Sequence, residues 1–321
     1  MLVIPNKISL PEHCQCSATL TVRSATIDPT AVGSPWLSLP GHPHRLHLVN
    51  RLPDNKHAYH YSDPGGSDFL FTYNPDSRGL HGNFRTSTGR SFTIEHCFGE
   101  AHVWSEIDVE SLEHNAGVDT LEGSLSKYLM PSPLFRRRQT DMADTTTMVT
   151  FSIKFYYTAT FAARTPDIDG FVDQVVADIN QGYVNSKIAL TARQHCKPEL
   201  ASIDDQPSAS RLLSQFAAMK PTWRDVRGSA DVAHLLVYDF DSCGIGFTNT
   251  IDIGLTFSAT AKVCAASQYS VGHEIAHNIG SLHNREASVG NNNLAYTYGH
   301  GHLIAKGSTG QGFRKGNPKQ I

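Results

Sequence analysis

The chain has 321 residues, of which 40% are hydrophobic and 18% are charged, which is typical of a soluble globular protein with room for two domains. The formal net charge is −3 with neutral histidines, so there is no basic surplus and the composition argues against a nucleic-acid-binding protein. No apolar run is long enough to cross a bilayer as a helix, so we expect no transmembrane segment.

Residues 17–130 are predicted to be rich in β-strands. Short segments that favour strands are separated by turn sequences such as Asp63-Pro64-Gly65-Gly66 and Thr88-Gly89. Their spacing favours a small sandwich or barrel-like unit. The predicted strands are Ser17–Ala25, His44–Arg51, Asp68–Tyr73, Gly82–Thr86, Arg90–His96 and His102–Ile107.

Residues 131–147 have the composition of an exposed linker, because a Pro-Ser-Pro sequence precedes Arg136-Arg137-Arg138 and a polar, threonine-rich run. A tribasic run in such a linker is a target for processing proteases, and we predict cleavage after Arg138. Phe135 stands where a furin-type enzyme prefers a basic residue, and a solvated charge run remains the alternative. The predicted domains are residues 1–138 and residues 139–321.

The second part of the chain alternates strand and helix patterns, which predicts an α/β layered domain. Apolar residues alternate from Met148, and a helix that begins near Pro166-Asp167 repeats its apolar residues every three or four positions as far as Tyr183. The elements predicted after it are a strand at Ile188–Arg193, a helix at Ser208–Met219 and a strand at Ala233–Tyr238.

A histidine pattern lies at residues 270–283. On a helix, His273 and His277 are one turn apart on the same face, so both imidazoles can reach one metal ion. Gly280 can adopt positive φ and end the helix, which allows His283 to supply a third nitrogen. Three imidazoles with an open fourth position describe a catalytic Zn²⁺ site.

Glu274 follows the first of these histidines and points about 100° around the helix from it. There it can take a proton from a zinc-activated water and later pass it to a leaving nitrogen, which indicates hydrolysis of peptide or protein substrates. The alternative is an amphipathic helix with three surface histidines, because this chain contains 17 histidines.

The motif His273-Glu274-x-x-His277-x-x-Gly280-x-x-His283 resembles the zinc signature of the metzincin metalloproteases. Asn278 and the run Tyr296–His302 are similar to the adamalysin or reprolysin branch and to peptidyl-Asp metallopeptidases. The resemblance implies a mixed sheet, a zinc-binding active-site helix and an edge strand that binds the substrate backbone. By position this strand comprises Gly244, Ile245, Gly246 and Phe247, although an ordinary glycine-containing loop remains the alternative.

The resemblance also implies a secreted zymogen with an N-terminal propeptide, although residues 1–10 do not form a recognisable signal peptide. Cys97 is the candidate thiolate for a zymogen switch on the zinc, and pairing with Cys14 or Cys16, or plain burial, is the alternative. Cys243 and Cys264 flank a short segment, and a disulfide between them is plausible.

The sequence departs from the metzincin pattern after the motif. All five methionines precede it, so the methionine turn of that family is absent, and we expect the catalytic domain to be truncated at its C-terminus. Asn284 stands where the family usually has Asp. These departures favour the alternative function, a catalytically impaired protein that binds zinc or peptides. Substrate preference and oligomeric state are not predicted.

Overall fold

The computed structural model describes residues 2–3, 19–27, 32–39, 45–51, 57–98, 101–109, 120–121, 147–248, 253–267 and 269–284. These ranges leave out Cys14, Cys16, the predicted processing residue Arg138, the rest of the linker up to residue 146 and the run Tyr296–His302. Among the described helices, none combines the length and the apolar character that a membrane span requires.

Nine antiparallel strands form the first sheet, in the order β1-β2-β9-β8-β7-β6-β5-β4-β3. Strands β3 to β8 each pair with the next strand in the chain, and β2 adds to the edge of β9. The expected sandwich or barrel is therefore wrong, because the strands lie side by side in one open sheet. The strands are β1 Leu2–Val3, β2 Thr19–Ile27, β3 Trp36–Leu37, β4 Leu46–Arg51, β5 Ala58–Ser62, β6 Asp68–Asn74, β7 Gly79–Arg85, β8 Ser91–Phe98 and β9 Ala101–Ile107.

The two faces of this sheet have different partners, which β6 shows most clearly. Phe69 and Phe71 lie in an aromatic core with Trp104, whereas Leu70, between them, belongs to a small cluster that includes Ala177 of the second half. Successive side chains of a strand point to opposite faces, so the alternation places one face in its own core and the other against a helix. The sequence did not reveal β5, because that strand is buried on both faces and lacks an apolar–polar alternation.

The second sheet has seven strands, in the order β10-β15-β16-β14-β11-β12, with β13 also paired to β11. It is mixed, as expected: β12, β11, β14 and β16 are parallel neighbours, β15 is antiparallel to β16, and β10 is parallel to β15. The strands are β10 Thr120–Leu121, β11 Val149–Tyr157, β12 Leu190–Gln194, β13 Glu199–Leu200, β14 Val232–Val237, β15 Gly244–Phe247 and β16 Phe257–Ala261.

Helices cover both faces of the second sheet. One hydrophobic core joins α3 to β14, β15 and β16, and another joins α2 and α6 to β11 and β14 on the opposite face. Every residue of β14 is buried, as expected for a parallel strand between two helix layers. The helices are α1 Ala159–Ala163, α2 Ile168–Ser186, α3 Ala209–Ala217, α4 Trp223–Arg227, α5 Lys262–Ser267 and α6 Ser270–Asn278, with a 3₁₀ turn at Ile253–Leu255.

Helix α2 lies between the two sheets. Its apolar stripe belongs to the core of the second sheet, and its opposite stripe faces β6 and β7 of the first sheet. Asp167 caps the helix by accepting from the backbone N–H of Gly170, which satisfies a donor that the helix cannot bond internally. The nine-stranded sheet therefore packs against the same helix layer, α2, that shares a core with the helix of the histidine motif.

Candidate metal centre and neighbouring edge strand

The histidine motif forms helix α6. Val271 and Ile275 are buried in the core that includes α2, and this apolar stripe fixes which face of the helix is presented outward. The helix ends after Asn278, and Gly280 adopts a φ of 99°, the positive value that the sequence predicted for the turn. The Ser281 N–H then bonds to the carbonyl of Ala276, which returns the chain toward the helix.

The turn brings His283 to the two helical histidines. The Nε2 atoms of His277 and His273 are 3.1 Å apart, and those of His273 and His283 are 3.3 Å apart. Nitrogens at 2.0–2.1 Å from one tetrahedral ion lie about 3.3 Å from each other, so the spacing matches a shared metal ion. In the described part of the chain this is the one such group of three side chains.

The orientation of His277 is fixed by its other ring nitrogen. Nδ1 donates to the carbonyl of Ser281 over 2.8 Å, because a carbonyl oxygen can only accept. The neutral ring then has its lone pair on Nε2, the atom that faces the other two histidines. A backbone partner of this kind sets both the tautomer and the ring plane of a metal ligand, so this donor set fits a zinc ion.

Glu274 lies on the strand side of the motif helix and is 2% exposed. A Cβ added to Gly244 of β15 would lie 2.5 Å from Oε1 of Glu274, and one added to Gly246 would lie 2.8 Å from the Glu274 carbonyl oxygen. Both distances are shorter than any ordinary contact. The glycines of β15 therefore make room for the motif helix and its carboxylate, a role that the sequence prediction had assigned to the approach of a substrate backbone.

The segment predicted as an edge strand forms β15, but β15 is paired on both sides in this chain, with β10 outermost. One edge is antiparallel to β16, with Ile245 opposite Ala259. The other edge pairs in parallel with β10, where Thr120 lies opposite Gly246. Ile245 and Phe247 point into the core under α3, away from the glycine face. The edge at which another chain could add is thus occupied by residues that precede the linker.

Asn278 makes contacts that the sequence did not predict. Its Nδ2 donates to the carbonyl oxygens of Phe247 and Phe257, each over 2.9 Å, and the residue is 1% exposed. These bonds join the end of the motif helix to the adjoining ends of β15 and β16. An asparagine on an amphipathic helix indicates only a polar side chain, and its partners Phe247 and Phe257 are 31 and 21 positions away in the sequence.

Tyr269 lies where the motif helix meets the first sheet. It precedes the helix with a φ of 56° and provides no side-chain cap. The Arg85 guanidinium of β7 lies 5.9 Å from the centre of its ring. Burial, with the Asp178 carboxylate nearby, raises the pKa of the Tyr269 hydroxyl, so that hydroxyl stays protonated across the physiological range. The nine-stranded sheet therefore contacts the start of the motif helix.

The cysteine predictions have two outcomes. Cys243 and Cys264 form the expected disulfide, which ties the chain before β15 to helix α5. Cys97 is buried in β8 and is also disulfide-bonded. A cystine sulfur has no thiolate to offer a metal ion, so the structure contradicts the zymogen-switch role and agrees with the alternative, pairing with another cysteine.

Comparison with known proteins agrees with the geometry. Residues 143–318 match the family model described as Metallo-peptidase family M12B Reprolysin-like. The chain is similar to a peptidyl-Asp metalloendopeptidase of Stenotrophomonas maltophilia strain K279a, with 24% identity over 322 residues, 92% of this chain and 75% of the relative.

A protein of the same name from strain R551-3 is 23% identical over 321 residues, 91% of this chain and 74% of that relative. Among solved structures, metalloproteinase-II from Bacteroides fragilis aligns with a TM-score of 0.47 and 9% identity, over 77% of this chain and 80% of that one. The matched family region contains the motif helix, the turn with His283 and strands β11 to β16 of the second sheet, whereas β10 precedes it.

Proposed function

The chain belongs to the reprolysin-like M12B metallopeptidase family, and from this premise we propose that it is a zinc-dependent endopeptidase. His273, His277 and His283 hold the ion, and Glu274 is the general base and later the general acid. The observation that carries the proposal is the convergence of three Nε2 atoms at distances that suit a tetrahedral metal.

Each residue has a separate task in this mechanism. When bound, the zinc ion supplies Lewis acidity, which polarises a carbonyl and lowers the pKa of a water to about 7. Glu274 accepts the water proton on its carboxylate and then transfers that proton to the amine that leaves. Gly244 and Gly246 leave the carboxylate its place beside β15. The edge of β15 binds the substrate backbone through strand addition.

The test replaces the proposed general base, Glu274, and keeps the three proposed zinc ligands. Glu274→Ala is expected to keep zinc, measured by metal analysis, and to lower peptide cleavage by a factor on the order of a hundred or more. Full cleavage by that variant would refute the assignment of Glu274. A wild-type protein that binds zinc and leaves every peptide intact would support the alternative, a non-catalytic zinc- or peptide-binding protein.

A pair of glycine substitutions tests the position of the carboxylate. Gly244→Ala places a Cβ 2.5 Å from Oε1 of Glu274, so the carboxylate must move and kcat is expected to fall while zinc is retained. Gly272→Ala is the matched control in the motif helix, because its Cβ meets nothing closer than Ile179 Cγ1 at 3.5 Å. Equal kcat values for the two variants would contradict this role of Gly244.

We also propose that the enzyme is made as a zymogen in which residues 1–138 are the propeptide and residues 139–321 the catalytic domain. Pairing of β10 with β15 supports latency, because a substrate needs the same edge of that strand. Cleavage after Arg138 would separate β10 from the catalytic domain. Replacement of the three linker arginines by alanine is expected to leave an intact, latent chain. A fully active intact chain would contradict the zymogen.

The contacts between the first sheet and α2 support a propeptide that can leave. Asn83 Nδ2 donates to Asp178 over 2.6 Å, and Gln174 Nε2 donates to the Leu70 carbonyl over 3.3 Å. Two histidine nitrogens lie close to the carboxylate of the cap residue Asp167, Nε2 of His81 at 3.3 Å and Nδ1 of His96 at 3.4 Å. Beside the small apolar cluster of Leu70 and Ala177, these polar groups can be solvated by water after separation, whereas a wholly apolar face cannot.

Secretion is part of the same proposal. The disulfide between Cys243 and Cys264 and the disulfide-bonded state of Cys97 support an oxidising compartment, where such bonds persist. Mass spectrometry of the protein from culture medium and from cell extract tests this point. Reduced cysteines in a protein confined to the cell extract would contradict it.

A further inference from the structure

Asn278 ends the motif helix beside the candidate ligand His277. Both hydrogen atoms of its amide are engaged, one with the carbonyl of Phe247 and the other with the carbonyl of Phe257. The residue is almost fully buried, so neither bond competes with bulk water. The amide therefore ties the motif helix to two different strands at once.

The two carbonyls lie where the ladder between β15 and β16 stops. The paired register runs from Gly244 opposite Thr260 to Gly246 opposite Ser258. Phe247 and Phe257 come next on the two strands, and there the amide of Asn278 bonds to both carbonyl groups. Loss of the amide would leave two buried carbonyl oxygens without this donor, which is costly in a dry site.

Helix and strand also touch through the glycine face. The added Cβ of Gly246 would lie 2.8 Å from the Glu274 carbonyl oxygen and 3.4 Å from Nδ2 of Asn278. The separation of β15 from the helix is therefore set by close backbone contact from one side and by the asparagine hydrogen bonds at the end of the strand. A peptide added to β15 takes its position from that strand, while the candidate ligands and Glu274 take theirs from the helix.

We propose that Asn278 is a positioning residue that fixes β15 relative to the metal centre, so that a substrate paired along this strand presents its scissile carbonyl at the correct distance. The inference rests on the peptidase function proposed above. It applies to substrates long enough to pair with β15. A short blocked peptide that cannot form this pairing does not depend on the position of the strand.

The experiment compares substrate lengths in the processed wild-type enzyme and in Asn278→Leu, which has a similar volume and no donor. For a peptide of about eight residues, we expect kcat to fall on the order of tenfold to a hundredfold, because a small misplacement of the carbonyl has that cost. For a blocked dipeptide, we expect kcat within about threefold of the wild-type value. A general loss of stability would lower the cleavage rates of both substrates by the same factor.

Asn180→Leu is the matched control. Asn180 also ties a helix to a strand, through Nδ2 to the Ala192 carbonyl over 3.0 Å and Oδ1 from the Ala192 N–H over 2.7 Å, in β12 rather than β15. Its loss is expected to reduce stability and leave the ratio of long-peptide to short-peptide rates unchanged. If N278L does not retain zinc, Asn278→Ser removes the amide without apolar bulk and is measured in the same way.

Three outcomes overturn the inference. If the ratio of the long-peptide rate to the short-peptide rate is the same in N278L and in the wild-type enzyme, the position of β15 does not depend on Asn278. Loss of zinc in both Asn278 variants shows that Asn278 maintains the structure of the metal site and has no separate role in placing β15. A wild-type enzyme that cleaves neither peptide contradicts the proposed peptidase function, and this inference falls with it. That outcome is distinct from the other two because it is observed in the wild-type protein without any variant.

Discussion

The two faces of helix α2 are buried by opposite means. Toward the second sheet the helix contributes Val172, Val175 and Ile179 to a core of aliphatic and aromatic side chains. Toward the first sheet it contributes Gln174 and Asp178, which form hydrogen bonds with Leu70, Asn83 and each other, and Ala177, which packs in a small apolar cluster with Ala58 and Leu70. The first face is stabilised by removal of apolar surface from water, and the second by hydrogen bonds that water can replace together with a small apolar cluster.

The difference indicates which association is permanent. An apolar face exposed to water promotes aggregation, so α2 and the second sheet must stay together. A polar face exchanges its protein partners for water at small net cost. The proposed propeptide requires that the contacts of the nine-stranded sheet with α2 can be exchanged for water, and the four predictions that follow test this contrast from the largest effect to the smallest.

The apolar face is expected to give the largest loss of stability. Ile179 is 4% exposed and contacts the motif helix, so Ile179→Ala is expected to lower the free energy of unfolding by about 2–5 kcal/mol. Urea unfolding of the intact chain and of the linker-cleaved protein measures it. The loss should be the same in both, since the core is common to them. A loss confined to the intact chain would break the comparison.

The polar face is expected to affect attachment alone. Asn83→Leu removes the donor to Oδ2 of Asp178 and leaves a buried carboxylate oxygen without it, which weakens attachment of the sheet by about 1–3 kcal/mol. Co-elution of the two fragments after linker cleavage, followed over a dilution series, measures the dissociation constant. Unfolding of the released catalytic part should be unchanged by this substitution, and a change there would contradict the assignment.

Acid is expected to weaken the contact at the N-terminus of α2. Burial raises the pKa of Asp167, but hydrogen bonds from His81 and His96 outweigh it and hold that pKa far below its usual range. The ionised carboxylate therefore contributes to attachment fully above about pH 4, and the contribution is lost as the pH falls below that value. Burial of Asp178 raises its pKa well above normal, so its protonation acts in the opposite direction.

Asp167→Asn separates these two effects. The amide oxygen can still cap α2 through the Gly170 N–H, and the acid-sensitive carboxylate is gone. Fragment dissociation measured between pH 7 and pH 3 should depend less on pH in this variant than in the wild-type protein, since Asp178 is common to both. An identical pH dependence would exclude Asp167 as the source of the acid effect.

The smallest effect is expected from a substitution in α2 that contacts neither the second sheet nor the first sheet. A Cβ added to Gly182 in α2 meets nothing within 4 Å. Gly182→Ala should raise the free energy of unfolding by about 0.5–1 kcal/mol through helix propensity, with no change in fragment dissociation. A change in dissociation would show that this part of α2 touches the first sheet.

The sequence predicted the local elements well and the long-range partners poorly. The alternation at Phe69 and Phe71 and the three-and-four spacing at Val172 and Val175 are set by burial on one face, which a sequence displays directly. The open order of the first sheet was not predicted, because strand patterns give no information on which strands close a barrel. The pairing of β10 with β15 is a contact between distant segments with no local signal.

The candidate site divides in the same way. The convergence of the three histidines follows from local geometry. A helical spacing brings His273 and His277 together, and the turn at Gly280 brings His283 to them. Asn278 acquires its partners from β15 and β16, and its role depends on the fold around it. The glycines of β15 were noticed as small, but the group that needs their space is Glu274, which the sequence does not place beside them.

The turn at Gly280 has a consequence for metal exchange. Two candidate ligands belong to a regular helix and keep their spacing whatever occupies the site, whereas His283 depends on a left-handed glycine and the Ser281 N–H bond to Ala276. Release of an ion then requires one turn to open and leaves the helix wound. If the candidate ligands hold an ion as proposed, a chelator should accelerate hydrogen exchange at the Ser281 amide far more than at the amides of Ile275 and Ala276, the result expected when metal release opens the turn and leaves the helix intact.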